Sequence, residues 1–229
     1  MPRFRPLLLA LAVLLVPGRL VVRAAEPAAV AAHNFAQWEN EVAAYEAQDR
    51  ANPPPKGAVL FIGSSTIRMW RTLATDFPGH AVINRGFGGT EIVDATHFAD
   101  RLVFPHSPKA IFFRSGSNDI HNGKGPTQLL ADFKEFVADV HAHLPATEIW
   151  FIGLCPTIAR WPETAANKEL NGLVETYAQT APGVHYIDAW DITLDAAGNP
   201  RPELFAPDKL HLSAAGYKLL AERVRPHLR

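Results

Sequence analysis

The sequence predicts an α/β fold in which a five-stranded parallel sheet is covered by helices on both faces. Three observations lead there. Past Gly57, short apolar runs alternate with longer segments of helical periodicity. The 229 residues, 48% hydrophobic and 20% charged, suit one well-filled domain rather than a disordered or fibrous chain. No internal repeat or low-complexity tract competes.

The elements follow in order. Residues 1–24 read as a signal peptide: Arg3 and Arg5 give a positive start, residues 7–16 an apolar run, and Val22-Arg23-Ala24 a small-residue cleavage site. The run is about half of the roughly 20 residues a membrane-spanning helix needs. A secreted or periplasmic protein with no stable membrane anchor after cleavage is expected. In residues 25–56, Asn34 is placed to cap a helix with Gln37 three residues on, and Phe35, Trp38, Val42 and Tyr45 mark its apolar face. Pro53-Pro54-Pro55 ends that helix and forms a stiff link. Strands are then expected at 58–62, 81–84, 110–114, 148–154 and 184–188, with helices at 67–73, 91–102, 127–143, 165–179 and 213–225.

Charge and cysteine content remove several function classes. Cleavage of the leader takes away four arginines and no acid, leaving 18 basic and 23 acidic residues, net −5, so nucleic acid is not an expected partner. The single cysteine, Cys155, excludes an internal disulfide and closes an apolar strand, where it reads as a small buried hydrophobe.

In a sheet of this kind ligands bind outside the carboxyl ends of the strands, so the loops starting at Gly63, Arg85, Ser115, Cys155 and Ala189 should line any site. The first reads Gly63-Ser64-Ser65. Glycine tolerates a sharp turn, and a serine opening a helix sits among backbone N–H groups that have no helical partner. Either serine is then a helix cap or a nucleophile. A serine nucleophile needs a base, and the base needs an acid that fixes its tautomer. Of the ten histidines, His211 stands apart, because Asp208 precedes it by three residues in the loop before the last helix, which Ser213 can cap. The chain order Ser, Asp, His is one known for such triads. Two segments offer donors for a developing oxyanion: the glycine-rich loop from Asn84 to Gly89, and Ser115 to Asp119 with the neutral amide of Asn118.

Together these four segments resemble the SGNH hydrolases, also called GDSL lipases and acylhydrolases, over about residues 58–225. The resemblance implies a three-layer α/β/α sandwich with a flavodoxin-like sheet, and an SGNH hydrolase domain at 57–229. It implies Ser65 as nucleophile and first oxyanion N–H, and Asp208 and His211 as acid and base. It also implies Gly89 as second oxyanion donor, favoured by its spacing from Asn84 over Gly86 or Gly88, with Asn118 as side-chain donor. One position departs from the family: Ser64 stands where an aspartate is common, which leaves the elbow without a charge and Ser64 as a second candidate nucleophile.

The implied activity is that of a serine esterase working through an acyl-enzyme, with no cofactor and no metal. Short connections and no lid-like apolar insertion point to short acyl groups, such as acetyl esters of carbohydrates, as the small-molecule or carbohydrate ester substrate. Arg85, Phe87, Arg114, His121, Arg160 and Trp161 are available to shape the pocket. Because the base must be neutral, activity is expected to rise through about pH 6.5. Two other readings stand beside this one. A hydroxyl-rich first loop also suits phosphate, as in a flavodoxin-like nucleotide- or flavin-binding protein, although that leaves Asp208 and His211 unexplained. A catalytically weak carbohydrate-binding relative follows if Ser64 spoils the elbow.

Overall fold

The computed structural model describes Met1 and residues 33–228; the rest of the leader expected at 1–24 lies outside the described residues. From Asn34 onward the chain forms one unit. After a 3₁₀ turn at Phe35–Trp38 come α1 (Glu39–Ala51), β1 (Val59–Gly63), α2 (Ser65–Arg68), α3 (Leu73–Asp76) and β2 (Val82–Gly86). Then follow α4 (Ile92–His97), α5 (Ala99–Leu102), β3 (Ala110–Arg114), α6 (Ser117–His121), α7 (Pro126–His143) and β4 (Glu148–Ile152). The last elements are α8 (Thr164–Ala178), β5 (Val184–Ile187) and α9 (Ala214–Val224).

The sheet runs in the order β2-β1-β3-β4-β5 with every neighbouring pair parallel. Because side chains alternate across a strand, each central strand feeds two cores. Leu60 and Ile62 of β1, Ile111 and Phe113 of β3, and Ile149 and Phe151 of β4 join α1, α4, α5, α7 and α8 on one face. Val59, Phe61, Phe112 and Ile152 join Trp70, Phe77 and α9 on the other. This is the flavodoxin-like three-layer sandwich. On the second face Phe61 stacks on Phe112 at 4.9 Å and on Phe77 at 5.5 Å. Burying an aromatic side chain this completely is worth about 1.5–3 kcal/mol.

Several local expectations change. The helix expected at 67–73 is two short pieces, α2 and α3, separated by Met69–Thr72. Asn34 makes no side-chain cap bond, because the chain enters α1 through the 3₁₀ turn. The segment Ser115 to Asp119, expected to follow the third strand as a loop, leads at Ser117 into the short helix α6. α1 packs as its apolar spacing predicts, with Val42 fully buried and Phe35, Trp38 and Tyr45 against the first core. Among the described residues no helix is long and apolar enough to cross a membrane.

Candidate active site

The strand order reverses between β1 and β3, so a crevice opens above their carboxyl ends. Gly63 ends β1 opposite Arg114 of β3 and Gly86 of β2. Only glycine fits there. Its φ is +143°, and a Cβ would lie 1.9 Å from the Arg114 carbonyl oxygen. That close approach turns the chain upward at once, and Ser64 caps α2 with its backbone: its N–H donates to Arg114 O (3.1 Å), and its carbonyl accepts from Ile67 and Arg68 N–H (3.0 and 3.1 Å). The elbow is therefore held without the aspartate common in relatives. Asn84 Nδ2 donates to Ile67 O (2.7 Å) and the buried Tyr217 hydroxyl to Thr66 O (2.9 Å), which pin α2 from two further sides.

Ser65 is the first residue of α2, so its N–H has no acceptor within the helix. Its Oγ lies 2.9 Å from His211 Nε2. On the other side of the ring, His211 Nδ1 is 2.7 Å from Asp208 Oδ2. Asp208 Oδ1 accepts the backbone N–H groups of Leu210 and His211, both at 3.0 Å, and so ties the carboxylate to the turn that carries the histidine. The His211 bond first, and then these N–H groups, hold the Asp208 carboxyl down at about 2. An acid that stays ionised fixes the proton on Nδ1 and leaves Nε2 as an acceptor facing the serine. The turn is closed by Ala206 N–H on His211 O (2.7 Å) and anchored to the loop after β4 by Ala159 N–H on Lys209 O (3.0 Å). Ser213 caps α9 through Gly216 N–H (3.3 Å), as expected.

Asn118 sits on α6 beside the same crevice. Its Nδ2 donates to Thr90 O (2.9 Å), and its Oδ1 accepts from Arg160 Nη1 (3.0 Å). A backbone carbonyl can only accept and a guanidinium can only donate, so these two neighbours fix the amide orientation. One Nδ2 hydrogen remains for a ligand. Of the glycine loop, Gly86 N–H is taken by Asn84 Oδ1 (2.9 Å) and Gly88 N–H by Glu41 Oε2 (3.2 Å). Gly89 N–H has no partner among the described residues. Gly89 has φ +80°, is exposed, and is not among the residues lining the cavity beside Ser65.

That cavity measures about 40 Å³ and is lined by both serines, His211, Asn118, Arg114 and Arg160, among others. Roomier depressions on the surface, such as one of about 480 Å³ beside α9, do not include Ser65. The Arg114 guanidinium is buried under the site, its Nη2 3.2 Å from Cys155 Sγ and its Nη1 on the Ile152 and Gly153 carbonyls. Cys155 is buried, as read from its strand. Of the other pocket candidates, Phe87 is core, Arg85 is buried beside α1, and His121 pairs with Glu163 (2.6 Å). Trp161, 42% exposed, follows Arg160 in the sequence and is the only exposed large apolar side chain among residues 33–228. Among the described residues no cluster of His, Cys, Asp or Glu has metal-binding geometry.

A serine, a histidine and a carboxylate linked by hydrogen bonds thus stand above a 2-1-3-4-5 sheet. The sequence matches the model of the GDSL-like Lipase/Acylhydrolase family over residues 62–219, and the chain belongs to that family; its activity class is carboxylic ester hydrolysis. Solved structures share the fold at low identity. A Streptococcus pneumonia protein described as a platelet activating factor is 21% identical, covers 85% of this chain and 94% of its own, and has a TM-score of 0.75. An acylhydrolase from Bacteroides fragilis is 21% identical, with 80% and 93% covered and a TM-score of 0.68. An acetylxylan esterase from Geobacillus stearothermophilus is 16% identical, with 74% and 93% covered and a TM-score of 0.58. None of the curated proteins matches the sequence.

Proposed function

We propose that this chain is a short-chain serine esterase of the cell exterior or periplasm that removes acetyl groups from carbohydrates through an acyl-enzyme. The observation that carries the reading is the relay Asp208, His211, Ser65, with bonds of 2.7 and 2.9 Å. In the first step His211 Nε2 takes the Ser65 proton as Oγ bonds to the ester carbonyl carbon. The oxyanion so formed is met by the N–H groups of Ser65 and Gly89 and by Asn118 Nδ2. Collapse breaks the bond to the alcohol, which leaves with the proton from His211. Water, deprotonated by the same imidazole, then frees the acid and restores Ser65.

Size supports the acyl group. A space of about 40 Å³ holds a few waters, enough for an acetyl methyl and too little for a fatty chain. Trp161 supports the alcohol: a flat apolar ring left in water one residue from Arg160, which lines the cavity, suits the apolar face of a sugar ring. Export is the reading of the leader pattern at 1–24. A nucleotide-binding role leaves the bond between His211 and Ser65 without a use. The test is a series of p-nitrophenyl esters of rising chain length run beside acetylated oligosaccharides. The reading expects activity to fall steeply beyond about four carbons and to persist on the oligosaccharides; a preference for long chains would refute it.

A further inference from the structure

We infer that α1, which lies outside the segment matched to the family, is a clamp that sets the oxyanion loop, and that Glu41 is its central positioning residue. The inference rests on Ser65 and Gly89 as the oxyanion donors.

The end of β2 and the loop after it, Arg85-Gly86-Phe87-Gly88-Gly89, have three residues with no side chain, so past the strand the loop's own sequence leaves its conformation open. α1 and the turn before it supply what is missing. Read along one face, residues 38, 41, 45 and 49 meet the loop in reverse order. The Trp38 ring lies against Gly89, with Cη2 3.1 Å from where a Cβ would stand. Glu41 Oε2 accepts Gly88 N–H at 3.2 Å. The Tyr45 hydroxyl donates to Gly86 O at 2.5 Å. Asp49 Oδ1 accepts Arg85 Nη2 at 2.5 Å. The spacings of three, four and four are those of one helical face.

Glu41 does more than hold the loop. Its other oxygen, Oε1, accepts Arg68 Nη1 at 2.7 Å, and Arg68 is the last residue of α2, whose first residue is Ser65. One carboxylate thus bridges the short helix that presents the Ser65 N–H and the loop that presents the Gly89 N–H. By occupying Gly88 N–H it also leaves the next amide, that of Gly89, as the free donor. Oxyanion donors act only when already aimed at the charge that develops, and misplacing a reacting group by about 1 Å can cost about 100-fold in rate. The bridge itself is half in water, with Arg68 and Glu41 side chains 48% and 34% exposed, so its loss should weaken the fold little.

The experiment measures kcat, KM and melting temperature with p-nitrophenyl acetate for Glu41→Ala, Glu41→Gln, Tyr45→Phe and Glu46→Ala. Glu46 is the control: it lies on the same helix and pairs with Arg101 Nε at 2.7 Å, away from the loop. For Glu41→Ala the expectation is a fall in kcat of about 10- to 100-fold, KM within twofold, and melting within about 4 °C of the parent. Glu41→Gln, whose amide oxygen can keep one of the two bonds, should recover part of the rate. Tyr45→Phe loses a single hydroxyl and should show a smaller fall of the same kind, which keeps the test open if Glu41→Ala does not fold. Glu46→Ala should keep the parent kcat. An active parent with an equally active Glu41→Ala, or an equal loss in Glu46→Ala, overturns this inference alone; a parent that hydrolyses no ester, or does so without Ser65, removes the reading beneath it.

Discussion

His211 Nε2 stands 2.9 Å from Ser65 Oγ across 146 residues of sequence, and Asp208 holds the far side of the same ring. The pair meets because β1 and the loop before α9 both end at the one edge of the sheet where the strand order reverses.

Asp208→Asn should keep the turn, since an amide oxygen can still accept the Leu210 and His211 N–H groups. Its NH₂ can no longer fix the proton on Nδ1, so kcat should fall by about 10³- to 10⁴-fold with KM little changed. The same carboxyl has a stability signature. Its folded value, about 2, lies below the unfolded one of about 3.9, so its stabilisation is present above about pH 4 and is lost as pH falls towards 2. Urea midpoints of parent and variant should therefore converge or cross only below about pH 4; a constant difference down to pH 2 would contradict this.

Asp119, next to Asn118, has the opposite sign. It is fully buried, and burial pushes its carboxyl up to about 7, although the Ile92 N–H on Oδ1 (3.1 Å) works the other way. Between about pH 4 and 7 the folded chain keeps a proton that the unfolded chain has lost, so this residue makes the fold less stable as pH rises through that window. Asp119→Asn should flatten that slope, read as the urea midpoint at pH 5 against pH 7.5. Parallel profiles for the two proteins would contradict the assignment.

Arg160 fixes the Asn118 amide through a single bond of 3.0 Å, and its Nη1 also reaches Ser117 O and Oγ at 3.0 Å. Arg160→Met leaves Thr90 O as the one remaining partner of the Asn118 amide among the described residues and so loosens its aim at the oxyanion. The expected outcome is a fall in kcat of about tenfold with KM nearly unchanged, a tenfold loss being about 1.4 kcal/mol of transition-state stabilisation. A rise in KM at constant kcat would instead make Arg160 a substrate-binding group.

Trp161→Ala should lower kcat/KM on acetylated oligosaccharides by about five- to tenfold, the order of about 1 kcal/mol expected for one stacking contact. Ethyl acetate, which has nothing to stack, should be hydrolysed at the parent rate. Equal effects on both substrates would show that the ring acts on the fold rather than on the sugar.

The sheet was legible because its strands are short apolar runs separated by helical segments, and each loop that begins at a strand end could be counted in advance. Asp208 and His211 were legible for a local reason: three residues in one turn place both on the same side. The breaks between α2 and α3 were not, since residues 67–73 keep a helical pattern while Trp70 turns inward to pack on Phe61 and Phe77. The Ser117-Asn118-Asp119 triplet suits turns and helix starts equally, so its residues alone do not announce the short helix α6. Glu41 and Tyr45 carried no readable signal beyond an amphipathic helix, because their loop partners are backbone atoms more than 40 residues away and Arg68, the side chain that also meets Glu41, lies 27 residues on. Ser64 marked a missing charge in the sequence; the structure supplies backbone bonds in its place.

The most direct test of the central claim is to phosphonylate the nucleophile with a fluorophosphonate and locate the adduct by peptide mass in the parent, Ser64→Ala and Ser65→Ala proteins, with p-nitrophenyl acetate hydrolysis measured on each. The account predicts one adduct on Ser65 in the parent and in Ser64→Ala, and neither adduct nor hydrolysis in a folded Ser65→Ala. An adduct on Ser64, or hydrolysis at the parent rate without the Ser65 hydroxyl, would contradict it.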